Sequence, residues 1–593
     1  MTFLNRHRSR IRPVGPFSPS SLFFGGIPGA WYDPTDLSTM FQDSAGTTPV
    51  TAVEQPVGLI LDKSQGLAQG SQLVVNGDGT TLTGWTPVND AGCTTTVSGG
   101  QFVLTTVASG GARLRQTIPV TAGKTYAISI FINANNDSGA NSFQIWGTGY
   151  GAGTLVFAPQ VFNGVFTAIV QATSANLYLQ LNAYRAASGT VAYYDDVSVR
   201  ELAGNHASQS TAASRPTYRA RYNLVEQSEV FSNAYWTKSS TTISADAGTA
   251  PDGTVTADLA YPTTTGTARI VWRNLVPGIN GQRYTVSVYA KASGKSILYF
   301  GTLQGNTAPD ADLPFFNLTT GQVAQAGAYF DTVTIQSVGS GWYRCTATKN
   351  AVTSANLYPI FGVADASGNT TATTNGTDGI FIWGAQLLTA ADVTATGNAY
   401  QRIAAATVYD TAPVFRPYLA FDGLDDSLST AAINFTSTDK MTTFVGTTVN
   451  SDAAPGMITE LSADGGANAG AFNVYRPGTG AYQFFRNGGT SFAQTVTGSF
   501  AAPSTGVVTY GLNFGAATEV TAQRVNGAAS GAVGAADTGS GNFGTYPLFI
   551  GRRNNASLPF NGRIYELIVR GAASSVTEIA DTELWVNART GGY

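Results

Sequence analysis

Carboxylates come first, because a glycan-cleaving enzyme needs two acids about 5 to 9.5 Å apart across a cleft. Asp195–Asp196 stand together, and Asp422, Asp425 and Asp426 surround Gly423. Neighbours on a strand point to opposite faces, so Asp195 and Asp196 make a poor catalytic pair. The second group reads as turn carboxylates that satisfy local N–H groups, since a hard cation wants six or more converging oxygens. Nucleophilic chemistry has little to use: the histidines are His7 and His206, assigned to a tail and a linker, and Cys93 and Cys345 read as ordinary buried residues. No Gly-x-x-x-x-Gly-Lys-Ser/Thr run exists to cradle phosphate.

Aromatic side chains offer a different chemistry. Sugars stack apolar C–H faces on Trp and Tyr, while Asn, Gln, Asp and Arg bond their hydroxyls. Candidates are Trp85, Trp146, Tyr150 and Tyr184, and further on Tyr475, Arg476, Tyr482, Arg486, Arg552 and Arg553. Most aromatics in sandwiches are core, so about a third of these are expected at the surface. Trp31, Tyr32 and Phe41 lie in a turn-rich stretch and read as candidates for docking onto a partner.

The elements that position these residues are strands. The 593 residues include 68 Gly and only 11% charged side chains, which leaves little to solvate long helices. A block beginning Gly111–Ala112–Arg113–Leu114 and passing through Tyr126 is written again from Thr267–Ala268–Arg269–Ile270 through Tyr284. Ser174–Ala175–Asn176–Leu177–Tyr178 recurs as Ser354–Ala355–Asn356–Leu357–Tyr358. A period of about 156 to 180 residues is that of a whole domain. The expected fold is all-β, with tandem jelly-roll sandwiches at 71–202 and 223–388. An irregular attachment segment at 1–70, linkers at 203–222 and 389–417, and a last jelly roll at 418–593 complete it. Ser575 and Glu578 have capping-box spacing, which predicts a short terminal helix over 576–588.

The formal net charge of −4 supplies no global field for nucleic acid or an anionic membrane, and the basic stretch Arg6–Arg12 reads as a tail or a strap. The apolar run at Leu22–Phe24 is too short for a secretory signal, and nothing approaches a membrane span. Synthesis in a cytoplasm with release by a route other than export is the expectation.

Residues 223–388 resemble a β-sandwich domain of tailed-bacteriophage virion proteins. The likeness rests on Phe231–Ser232–Asn233–Ala234–Tyr235–Trp236, Gly341–Trp342–Tyr343–Arg344 and Ile382–Trp383–Gly384–Ala385–Gln386. The earlier module is similar to carbohydrate-binding modules at Tyr194–Asp195–Asp196–Val197, and residues 418–590 are similar to the concanavalin-A-like/laminin-G jelly roll at Phe421–Asp422–Gly423 and Gly562–Arg563–Ile564. The resemblance implies a non-enzymatic virion structural or adsorption protein of tail-fibre type that binds host polysaccharide or lipopolysaccharide. It implies virion location, capsid or tail partners, and a homo-oligomer, a trimer among the options. It also implies a structural calcium at Asp195 and Asp196, with backbone bonding as the alternative; no other cofactor, nucleic acid or membrane insertion is expected. A purely structural head-decoration or tail component is the rival reading. A depolymerising tailspike is disfavoured because no stacked β-helix repeats are present.

Overall fold

Alternating apolar residues build each sandwich. In Thr125–Asn133 the inward positions are Tyr126, Ile128, Ile130 and Ile132, all buried. The computed structural model describes residues 17–593 apart from 108–109, 134–140, 158–162, 185–190, 273–275, 306–307, 464–467, 496–499 and 531–536. One sheet of the first sandwich runs Gly164–Gln171, Thr125–Asn133, Val191–Leu202, Gln101–Thr105, Thr94–Ser98. Its facing sheet runs Ala152–Phe157, Asn141–Gly149, Asn176–Tyr184, Gly111–Pro119, Thr86–Pro87.

The second sandwich repeats this order. Trp342–Asn350, Arg283–Ser293, Gly379–Thr389, Ala257–Pro262 and Thr241–Gly248 form one sheet, with Thr332–Gly339 added at the Trp342–Asn350 edge; Phe315–Asn317, Ile297–Phe300, Ile360–Ala364, Arg269–Trp272 and Trp236–Ser239 form the other, with Gln322–Gln325 added beside Phe315–Asn317. The repeated sequence blocks therefore occupy matching strands. A detail repeats as well: the Tyr126 hydroxyl accepts the Thr121 N–H at 2.8 Å, and the Tyr284 hydroxyl accepts that of Ile279 at 3.2 Å. The protein is all-β, with jelly-roll sandwiches in tandem.

The third sandwich is assembled from three separated pieces of chain. Its first sheet places Gln55–Pro56, Thr217–Arg219, Tyr418–Asp422 and Asn561–Arg570 side by side, with Gly29–Tyr32 also pairing with Asn561–Arg570. Its second sheet begins Met40–Phe41, Leu59–Ile60, Ala207–Ser208, Leu428–Asn434. Each time the chain returns from a repeated sandwich it adds a strand beside the one it left. The stretch expected to be an attachment segment, and the stretch expected to be the first linker, thus supply strands and core to this domain. Ala30, Tyr32, Met40, Ile60, Ala207 and Tyr218 pack in one cluster with Phe472, Phe484 and Leu567. The two repeated sandwiches are insertions in a hub, which replaces the expected picture of separate domains in series.

Buried polar side chains tie each insertion at its neck. Asp62 accepts N–H bonds from Trp31 and Asn205, both at 2.7 Å, and its own N–H donates to Nδ1 of His206 at 2.9 Å. Gln401 closes the second neck, its side-chain oxygen accepting from Tyr222 and Asn223 N–H at 2.7 and 3.0 Å and its amide donating to the Ala220 carbonyl at 2.7 Å. The second expected linker is also structured, holding the helix Ala390–Thr396 and the hairpin Ile403–Ala405 with Val408–Tyr409. Arg563 of the hub pairs with Asp392 of that helix at 2.6 Å and lies over the rings of Tyr222 and Tyr418. The helix Val576–Thr590 carries the expected capping box and covers Phe444, Val507 and Ile568.

Candidate functional site

The solvent-facing side of the first sandwich gathers the chemistry that suits a sugar. In Asn176–Tyr184 the residues Leu177, Leu179 and Leu181 point to the core, which turns Tyr178, Gln180 and Asn182 to the other side of the sheet, where Tyr178 is half-buried and Gln180 and Asn182 are buried. Arg115 leaves the neighbouring strand on the same side, its guanidinium carbon 4.4 Å from the centre of the Tyr150 ring. Tyr150 meets Trp146 and Tyr178 edge-to-face at 6.0 and 5.3 Å, and its hydroxyl lies 3.2 Å from that of Thr117. Edge-to-face pairs contribute about 0.5–1.5 kcal/mol each, so the aromatic group is fixed before any ligand arrives. Partial burial pushes the Tyr150 phenol above its ordinary value, so it stays neutral near pH 7.

Beside these rings runs a ladder of amides. Arg115 donates to Gln180, Gln180 donates to Asn182, and Asn182 donates to Ser142 Oγ at 3.1 Å and to Gln144 at 3.2 Å. The face therefore offers the half-buried rings of Tyr150 and Tyr178 and the Arg115 guanidinium, while Trp146, Gln180 and Asn182 are buried and hold them in place. Sequence reasoning named Trp146 and Tyr150 but missed Arg115, Tyr178 and the amides. The alternation Leu177, Leu179, Leu181 was the signal that could have found them.

The other candidates fall elsewhere. Trp85 is core, its indole donating to the Val75 carbonyl at 2.9 Å. The Tyr184 side chain lies outside the described residues. Arg476 is buried, paired to Asp452 at 2.5 Å and 4.7 Å from the ring centre of Tyr482, which is itself buried. Arg486 is buried against Glu519 at 2.6 Å. Tyr475 is half-buried, Arg553 pairs with Glu460 at 3.1 Å, and Arg552 donates to the Ala556 carbonyl at 3.0 Å. Arg476 and Arg486 went inward because the loop residues Asp452 and Glu519 neutralise them, so Arg476, Tyr482, Arg486, Trp85 and Trp146 are not available to a surface ligand.

The docking candidates are corrected in the same way. Trp31 and Tyr32 are buried, the Trp31 indole donating to Glu566 at 2.6 Å and the Tyr32 hydroxyl to the Asn205 carbonyl. Phe41 is half-buried and packs against Leu59, Leu61 and Leu202, between hub and first sandwich. His206 is buried at the first neck and is no part of a free linker. Asp195 and Asp196 do not point to opposite faces: Asp196 has φ 50°, and the core phase moves from Ala192 and Tyr194 to Val197 and Val199. This bulge turns both carboxylates away from the core, and no third acidic, histidine or cysteine ligand joins them among the described residues. Asp422, Asp425 and Asp426 do converge, with ligand atoms within 4.8 Å of one another. Their oxygens take Leu424 N–H at 2.7 Å, Asp422 N–H at 3.0 Å and the Ser214 hydroxyl at 2.7 Å, as turn formers do. Burial and the two neighbouring carboxylates push Asp426 up to about 7. Cys93 and Cys345 are buried free thiols, and burial pushes that of Cys345 up.

The fold and this face define a class: a multi-sandwich β-protein with a polar-aromatic sheet surface. No protein-family model and no curated protein matches the chain. Among solved structures it is similar to the tandem CBM22-1-CBM22-2 domain of Xyn10C from Paenibacillus barcinonensis, at 11% identity over 54% of this chain and 98% of that one, with a TM-score of 0.23. Mouse laminin alpha1 domains LG4-5 match at 12% identity over 51% of this chain and 89% of that one, TM-score 0.21. A Trypanosoma rangeli sialidase matches at 10% identity over 93% and 97%, TM-score 0.23. No helix among the described residues is long and apolar enough to cross a membrane.

Proposed function

We propose that the protein is a non-enzymatic adhesion component of a tailed-bacteriophage virion, holding host surface polysaccharide or lipopolysaccharide on the outer face of its first sandwich. The observation that carries the glycan reading is the half-buried Arg115–Tyr150–Tyr178 group, braced from beneath by buried Trp146 and the buried Gln180–Asn182 amides. The virion assignment draws on the resemblance of residues 223–388. Weak single contacts become firm attachment when several copies share one particle, through high effective concentration.

The test is retention of purified protein on host cells and on extracted lipopolysaccharide, alongside binding to particles stripped of it. Wild type is expected to be retained, with Tyr150→Ala and Arg115→Ala each lowering affinity about tenfold. Binding to stripped particles with no retention on cells or lipopolysaccharide would end the adhesion reading in favour of a purely structural component.

A further inference from the structure

The second sandwich has a cleft of about 430 Å³ on the outer side of its Ile297–Phe300 and Ile360–Ala364 strands. This is the sheet that matches the candidate face of the first sandwich. By the repeated blocks, its Arg269 and Tyr358 stand where Arg113 and Tyr178 stand in the first copy. A volume near the lower end of the range for small-molecule sites, about 300–1,000 Å³, suits one or two sugar rings and no long chain.

Three glycines let the lining side chains pack close to the backbone. A Cβ at Gly362 would lie 2.2 Å from the Tyr299 ring, one at Gly305 would lie 2.7 Å from the Tyr358 hydroxyl, and one at Gly301 would lie 2.8 Å from Ile360. Tyr299 is buried and forms the floor, while Tyr358 is half-exposed and presents its ring. The loop above is held in place by buried Gln304, which donates to the Thr353 and Ala355 carbonyls at 2.9 and 3.0 Å and accepts the Val352 N–H at 2.9 Å. The cleft is thus preformed, and a ligand entering it has little ordering cost to meet.

Its charges identify the ligand chemistry. Asp310 accepts the Thr370 N–H at 2.7 Å and hydroxyl at 3.0 Å, which leaves acceptor capacity on the carboxylate. Arg269 is exposed, its side chain makes no ion pair or hydrogen bond among the described residues, and it is not paired with Asp310 although both line the cleft. An acid would meet Asp310 and an amine would meet Arg269. A neutral polyol satisfies both, accepting from the guanidinium and donating to the carboxylate while its C–H face rests on Tyr358. We propose that this cleft is a separate site for one or two units of a neutral sugar. The choice of ligand comes from the cleft's own groups and does not depend on the first face.

The experiment is saturation-transfer NMR on the full chain with methyl glycosides of glucose, galactose, mannose, rhamnose and N-acetylglucosamine, and with methyl glucuronoside as the acidic control. At least one neutral glycoside is expected to receive saturation, with affinity falling about tenfold or more in Arg269→Ala and Tyr358→Ala and unchanged in Tyr150→Ala. The exposed Arg269 side chain makes no polar bond among the described residues and truncation to Ala keeps its strand backbone, so its variant reports on binding even if Tyr358→Ala is unstable. No transfer to any neutral glycoside, undiminished transfer in Arg269→Ala, or tighter binding of the glucuronoside would each overturn the proposal. Loss of cell retention in Tyr150→Ala with this signal intact would separate the two sites.

Discussion

His206 is neutral in the fold, because its Nδ1 accepts the Asp62 N–H and its Nε2 faces the Leu202 carbonyl at 3.3 Å. Burial lowers its pKa, against an opposing pull from the Asp62 carboxylate. The unfolded chain, with a histidine near 6.5, therefore takes up the proton first. This contribution to stability is complete above about pH 6.5 and is lost as the pH falls. Glu566 behaves oppositely: burial and nearby Asp33 push it up to about 8, so its share is lost as pH rises from about 4 toward 8. Calorimetry from pH 7 to 5 is expected to show a smaller acid-side loss of Tm in His206→Gln than in wild type; equal slopes would remove His206 from the account. Asp62→Ala leaves several buried N–H groups unpaired and is expected to cost about 3 kcal/mol, read by chemical denaturation.

At the scale of elements, local signals served where they carried the whole cause. Ser575 and Glu578 predicted the helix that runs Val576–Thr590, and both halves of the capping box are formed. Ser575→Ala is expected to cost about 1 kcal/mol, measured by thermal unfolding. The bulge at Asp196 was not legible, because an extra residue in one strand is defined by its partners, here Thr125–Asn133. The same holds for the candidate face. Tyr150 could be suspected as an aromatic near strands, but its grouping with Arg115 and Tyr178 depends on pairing between Gly111–Pro119 and Asn176–Tyr184. Arg476 and Arg486 misled for a related reason. A guanidinium reads as surface until the acid that neutralises it, Asp452 or Glu519, is seen beside it.

For the whole molecule, the consequence of a hub with two insertions is that the ends of each insertion meet. Asn205 N–H lies 2.7 Å from the Asp62 carboxylate, and Tyr222 N–H 2.7 Å from the Gln401 side chain. Domain insertion is tolerated where chain ends are close and exposed loops are interrupted. A chain with each repeated sandwich replaced by a short Gly/Ser linker is expected to fold cooperatively, as measured by near-UV circular dichroism and protease resistance. Residues 418–593 alone, lacking Gly29–Tyr32 and Thr217–Arg219 and the core residues Ala30, Tyr32 and Tyr218, are expected to be protease-sensitive. The reverse result would show that the last segment is a self-sufficient domain.

Composition, strand periodicity and the doubled blocks determined that this chain is all-β and that it carries one sandwich twice, because those properties are set by neighbours along the chain. Which strands close the third sandwich was decided by tertiary structure: Gly29–Tyr32 finds its partner in Asn561–Arg570, at the opposite end of the polypeptide. Short irregular stretches carry no pattern of their own, and their fate depends on which distant edge has unpaired N–H and C=O groups to offer.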